Sequence, residues 1–305
     1  MSNSRASGVS LAILSAASFS TLGLFAKLIY AEGFTLVQGL AWRFTVASIA
    51  LWGITLVAGK WRRPLADYRD ALLLGILGYS PQAGLYFLTV RHLDPGLAAL
   101  LLYLHPAFVV VFSALFLRRL PRKAQIIAVI LSLIGCAMTL WVRGSYPLIG
   151  YFWGLMVAIV YGIYLVAGEK IVSRLDPLFA TTNLMTATAA VYWVLTMASG
   201  SFRLPGSTAA LLGILGVGTL GTVVPIMTLF AAMRRIGAAD SALISTVEPL
   251  FTIILSALLI GERLTGMQLA GGAVILCAVL VLNMKSPVPR VPTIRKSQPE
   301  QPPVS

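Results

Sequence analysis

Shifted by 143 residues, this chain lies on top of itself. Lys27 falls on Lys170, Thr45 on Thr188, Gly75 on Gly218, Gly78 on Gly221, Phe87 on Phe230, Arg91 on Arg234, Pro106 on Pro249 and Gln125 on Gln268. Ser113-Ala114-Leu115 falls on Ser256-Ala257-Leu258 without a gap. Each copy carries five apolar runs of roughly 20 residues, the length that crosses a hydrocarbon core about 30 Å thick. An odd number of crossings makes the second copy enter the membrane upside down. The expected fold is an all-α membrane protein with ten transmembrane helices in two inverted five-helix repeats. Inverted repeats of this kind mark secondary transporters, in which two near-equivalent halves expose one central site alternately to each side.

The spans are read at 8–30, 36–58, 70–91, 95–117 and 123–142, then at 149–171, 178–200, 209–232, 238–260 and 266–284. The repeats are accordingly 8–142 and 149–284. Residues 286–305, with six prolines and little apolar content, read as a disordered cytoplasmic tail. The first span is too long for the apolar core of a signal peptide and has a counterpart in the second half, so it is kept as a helix. With 58% hydrophobic and 11% charged residues, a soluble domain is excluded. Placing the N-terminus in the cytoplasm puts 17 of the 23 Lys and Arg residues on the inner side. The prediction is an inner (plasma) membrane protein with both termini cytoplasmic. The net charge of +13 then has a topological explanation, and nucleic acid is not an expected partner. Cys136 and Cys277 lie inside apolar helices and read as small apolar residues. There is no phosphate-binding loop of the GxxxxGK[ST] type. Neither a cofactor nor a metal is expected, and a monomer in the lipid bilayer is.

Leu243 to Leu250, which contains Glu248-Pro249, followed by Gly261-Glu262-Arg263-Leu264-Thr265, resembles the closing pattern of EamA-type carriers of the drug/metabolite transporter superfamily. Leu101 to Phe116, with His105-Pro106, is similar to the same element with His in place of the acid. Arg43 in Ala41-Trp42-Arg43-Phe44 resembles the arginine that many members carry in the second helix. The resemblance covers residues 8–284 and implies ten helices around a central cavity. It implies export of amino acids, other metabolites or drugs, while relatives carry nucleotide sugars or phosphorylated sugars. The chain departs from the small multidrug relatives, whose first helix holds a membrane-embedded glutamate. Its first span offers only Ser18, Ser20 and Thr21 at mid-depth.

Charged groups inside a bilayer are costly and default to functional candidates. His105 and Glu248 occupy equivalent repeat positions, each directly before a proline. They read either as a titratable pair lining the cavity, with Glu248 accepting a substrate amine or a proton, or as supports for helices loosened by Pro106 and Pro249. Tyr79, Gln82 and Tyr86 share one helix face, as do Tyr161 and Tyr164, and Tyr103 lies close to His105. Tyrosines at mid-depth need hydroxyl partners, which an aqueous cavity supplies. Arg43 either holds a substrate carboxylate or locks an outer gate. Trp42, Trp61, Trp141 and Tyr151 read as interface-belt residues, and Lys27 and Lys170 as snorkelling ones.

The leading expectation is a secondary transporter exporting a small neutral or zwitterionic metabolite, such as an amino acid, by alternating access. A phosphate dianion would need two or more cations, and only Arg43 is plainly available. Carriers of drugs, nucleotide sugars or phosphorylated sugars are the alternatives. A membrane-embedded enzyme is disfavoured, because His92 and His105 are the only histidines and no aspartate lies deep within a span. A substrate-gated receptor is not separable from a transporter by sequence.

Overall fold

The computed structural model describes residues 2–93, 95–139, 146–260 and 265–283. The tail 286–305, Trp141, the 261–264 part of the closing motif and the Lys27 side chain lie outside the described residues. Everything regular among the described residues is helical. The first half comprises α1 (Ser2–Phe19), α2 (Leu22–Ala31), α3 (Leu36–Val57), α4 (Leu65–Leu73), α5 (Ser80–His92), α6 (Pro95–Leu102), α7 (His105–Leu117) and α8 (Lys123–Thr139). The second comprises α9 (Leu148–Val172), α10 (Pro177–Ala198), α11 (Thr208–Gly218), α12 (Val224–Ser245), α13 (Glu248–Ile260) and α14 (Gly266–Asn283). Two π-helical stretches, Leu74–Tyr79 and Thr219–Val223, join α4 to α5 and α11 to α12.

Among the described residues, seven helical stretches are long and apolar enough to cross a membrane: Ser4–Ala31, Leu36–Val57, Leu65–His92, Leu97–Leu117, Leu148–Val172, Pro177–Ala198 and Thr208–Ser245. The apolar helices Lys123–Thr139 and Gly266–Leu282 are shorter. The expected eighth and ninth spans run together in Thr208–Ser245. Its 38 residues would reach about 57 Å as one straight helix, nearly twice a bilayer core. The stretch is not straight: Gly237, at φ 83°, leaves the helical region and divides it. A side chain would strain that backbone, and glycine accepts it freely.

The third span begins earlier than its hydropathy suggests. Helix α4 starts at Leu65, directly after Pro64, with Asp67 in its first turn. Acid near a helix N-terminus and the Tyr68 hydroxyl donating to the Trp61 carbonyl stabilise these polar turns, so the loop after the second span is shorter than the spans 36–58 and 70–91 predict.

Capping follows sequence chemistry. Thr35 and Gln38 form a reciprocal capping box at α3, Asp176 caps α10 through the Leu178 amide, and Ser207 caps α11. The core sits where α3, α9, α10 and α12 meet, around Phe44, Leu51, Tyr164, Phe179, Met185 and Phe230. Ile49, Leu77, Leu115, Val194, Leu212 and Leu280 are exposed outward, as a lipid-facing surface requires.

The two ends of the bundle differ. At one, Arg5 and Arg122 meet Asp240, Arg119 meets Glu169, Lys60 meets Asp176 at 2.9 Å and Arg174 meets Asp70. Partial burial would raise the Asp176 carboxyl. The Lys60 ammonium, with the Leu178 and Phe179 amides, outweighs that and holds it below the ordinary range. At the other end, Ser207 donates to Glu32 at 2.7 Å and Trp42 to the Arg203 carbonyl at 3.0 Å. Trp61 and Tyr151 are exposed, and Lys170 is exposed at the last turn of α9.

Candidate functional site

Two pairs of interruptions, each pair recurring near the repeat spacing, shape the interior. Between α6 and α7 the chain loosens at Tyr103-Leu104, directly before His105-Pro106. Between α12 and α13 it loosens at Thr246-Val247, directly before Glu248-Pro249. Helices end at 102 and 245 and restart at 105 and 248, so the break recurs at the repeat spacing. A proline cannot donate to the preceding turn and crowds its carbonyl, which is why the helix restarts there. The π-helical stretches also fall at nearly matching positions and precede Pro81 and Pro225. Ser80 closes the first, its amide and hydroxyl both directed to the Gly75 carbonyl, the hydroxyl at 2.8 Å. Thr222 reaches back to the Val217 carbonyl at 2.6 Å in the second.

Arg43 on α3 joins these two stretches. Its Nε donates to Thr222 Oγ1 at 2.7 Å, and its Nη2 donates to the Tyr79 hydroxyl at 3.3 Å. Tyr79 and Thr222 are repeat equivalents. The same Nη2 approaches the Gly221 carbonyl at 3.5 Å, the group that Pro225 leaves without its helical donor. Arg43 is 7% exposed, and its guanidinium carbon lies 4.9 Å from the Phe44 ring centre. All its acceptors are neutral, and among the described residues no carboxylate pairs with it.

From Tyr79 a continuous series of rings crosses the interior. Centroid separations are 5.4 Å from Tyr79 to Tyr164, 5.9 Å to Tyr161, 4.3 Å to His105 and 6.4 Å to Tyr103. The Tyr103 hydroxyl lies within interaction range of the Glu248 side chain, which closes the series. Tyr79, Tyr86, Tyr103 and Tyr161 lie within electrostatic reach of Glu248, and Tyr79 and Tyr161 also within that of Arg43, so the two groups address one cluster. His105 Nδ1 bonds the Leu102 carbonyl at 2.9 Å, which directs Nε2 away from its own helix. That Nε2 and the Tyr164 hydroxyl are buried without a partner. Burying a polar atom unpaired is costly, so each is a natural position for a ligand group.

The candidates from sequence therefore separate into two sets. Arg43, Tyr79, Tyr103, His105, Tyr161, Tyr164 and Glu248 belong to the ring series or its two ends. Gln82 is buried on α5 outside it, and Tyr86, half-buried, joins through the field of Glu248. Sequence reasoning missed Thr222, although its repeat position opposite Tyr79 could have identified it. Phe44 and Phe230 also flank the series, at 5.6 Å from Tyr79 and 6.2 Å from Tyr164. Their residue type carries no signal apart from core packing.

The EamA-like transporter family matches this chain twice, over residues 6–141 and 148–284. An uncharacterized transporter, YcbK, of Bacillus subtilis is 26% identical over 87% of this chain and 89% of its own length. An uncharacterized inner membrane transporter, YedA, of Escherichia coli is 27% identical over 83% of each. A protein of Streptantibioticus cattleyicolor described as a probable terminal-alkyne amino-acid exporter is 26% identical over 80% of this chain and 82% of its own. A solved crystal structure superimposes with a TM-score of 0.80 at 20% identity, covering 92% of this chain and 97% of that one, a likeness of fold.

Proposed function

This chain belongs to the EamA-like transporter family, and on that premise we propose that it exports a small neutral or zwitterionic metabolite, an amino acid or a related compound, by alternating access. It is a multi-pass membrane transporter. The reading adds ten spans in two inverted repeats, a place in the inner membrane with both termini cytoplasmic, and a substrate site along the ring series. The helix breaks at 102–105 and 245–248 and the glycine break at Gly237 support the ten-span reading. Discontinuous helices meeting at mid-depth are a common way for carriers to offer unpaired backbone and side-chain groups to a substrate.

One observation carries the substrate class. A buried aromatic series has Arg43 at one end and Glu248 at the other, with His105 Nε2 and the Tyr164 hydroxyl unpaired between them. Such a lining has a single cation and a single carboxylate. It suits a ligand that is neutral or carries both signs, and it offers a phosphate dianion too few cations. The Streptantibioticus cattleyicolor relative described as a probable terminal-alkyne amino-acid exporter points the same way. The test is counterflow in proteoliposomes of the purified chain. Preloaded unlabelled neutral amino acids should drive accumulation of a labelled one, while sugar phosphates and organic cations should not. Counterflow with sugar phosphates alone would reverse the assignment.

A further inference from the structure

We propose that the basic end of the bundle holds a second ligand site, built for a phosphate oxyanion and separate from the ring series. A cavity of about 100 Å³ opens there among α7, α9, α12 and the start of α8. Arg5, Arg119, Arg122, Arg234 and Arg235 line it, and Ser113 lines it from within the bundle. Against these five guanidinium groups stand two carboxylates, Glu169 and Asp240. Both are already engaged. Asp240, 2% exposed, takes Arg5 at 3.3 Å, Arg122, and the Gln125 amide at 2.9 Å. Glu169, 6% exposed, takes Arg119 and the Ala238 amide at 2.7 Å. Three positive charges remain in surplus, and Arg234 and Arg235 are exposed.

Two buried donors have no partner in the same cavity: the Ser113 hydroxyl and Arg122 Nη1. Ser113 is 6% exposed, so water in bulk does not satisfy it. Arg234 has no partner among the described residues, and Arg235 donates only to the neutral Ala231 carbonyl at 2.7 Å. Unpaired donors converging with surplus guanidinium charge call for an acceptor that is anionic and has several oxygens. A phosphate group has that chemistry, and guanidinium groups bind it in paired hydrogen bonds. Ser113 lies eight residues from His105 on α7, about 12 Å along the helix, so this cavity is not the aromatic one. A phosphate oxyanion can come from an acidic phospholipid headgroup or from a soluble phosphate compound. Neither source depends on the substrate class proposed above.

The test uses the full chain, purified in neutral detergent. Inorganic phosphate is titrated against thermal stability, with sodium chloride at matched ionic strength as reference. Phosphate should raise the melting temperature by several degrees, saturably. In Ser113→Ala and in Arg234→Gln/Arg235→Gln the half-saturating concentration should rise by about tenfold. These variants leave both carboxylates paired, whereas Arg122→Gln would strip a partner from buried Asp240 and risk misfolding. Repeating the titration in nanodiscs identifies the source. If acidic phospholipid occupies the site, added phosphate acts in phosphatidylcholine discs and not in discs rich in phosphatidylglycerol. If soluble phosphate does, it acts in both. Equal stabilisation by chloride, or unchanged titrations in both variants, would overturn the proposal.

Discussion

Tyr164 is the residue whose chemistry most cleanly separates packing from binding. Its ring is 1% exposed and lies among Tyr79, Tyr161 and Phe230, yet its hydroxyl has no partner. An unpaired buried hydroxyl costs roughly 1–3 kcal/mol, so Tyr164→Phe should leave thermal stability unchanged or raise it. If the hydroxyl contacts substrate, the same change should raise the KM for transport by about tenfold, the worth of one ligand hydrogen bond. Unchanged transport kinetics would leave Tyr164 a core residue. Its depth and its spacing from Tyr161 were legible from sequence. The missing hydrogen bond was not, because it depends on which atoms of α5, α7 and α12 approach it.

At the scale of elements, the two π-helical stretches differ in how closely a neighbouring helix passes. A Cβ on Gly75 would lie 2.6 Å from the Leu184 carbonyl oxygen of α10, a backbone atom with no freedom to turn aside. A Cβ on Gly221 would find its nearest neighbour at 3.5 Å, an ordinary contact. Gly75→Ala should therefore cost about 1–3 kcal/mol, read as lower yield and melting temperature, while Gly221→Ala should be nearly neutral. Equal losses would mean that α10 is free to shift. The repeat located both glycines and both proline-marked breaks in advance. It did not separate a close-packing glycine from a spacious one, and it did not foresee the π geometry. Both depend on the neighbouring helix rather than on local propensity.

Across the whole molecule, the ion pairs among the described residues join the halves at one end only. Five of the six among the described residues link residues before 143 to residues after it: Arg5–Asp240, Lys60–Asp176, Arg119–Glu169, Arg122–Asp240 and Arg174–Asp70. The sixth, Arg69–Asp70, is local. The paired end gathers the loops whose Lys and Arg content predicts a cytoplasmic side, and Arg5 donates there to the Leu282 carbonyl, bringing the first and last helices together. A reporter active only in the cytoplasm, fused after Met284, should therefore be active. Activity solely of a periplasmic reporter at that site would invert the topology.

What the sequence determined by itself is what depends on composition and period. Apolar runs at membrane length and a repeat of 143 residues specify helices and duplication, and a basic bias on alternate loops predicts an orientation, because the bilayer imposes those terms on every segment separately. The tertiary structure alone decided that Arg43 bridges Tyr79 and Thr222, that five rings form one series, and that Glu169 and Asp240 hold the basic end together. Those pairings join residues more than 100 positions apart in several cases. Side-chain partnership across helices is set by helix rotation and crossing, and neither is written in the hydropathy of any one helix.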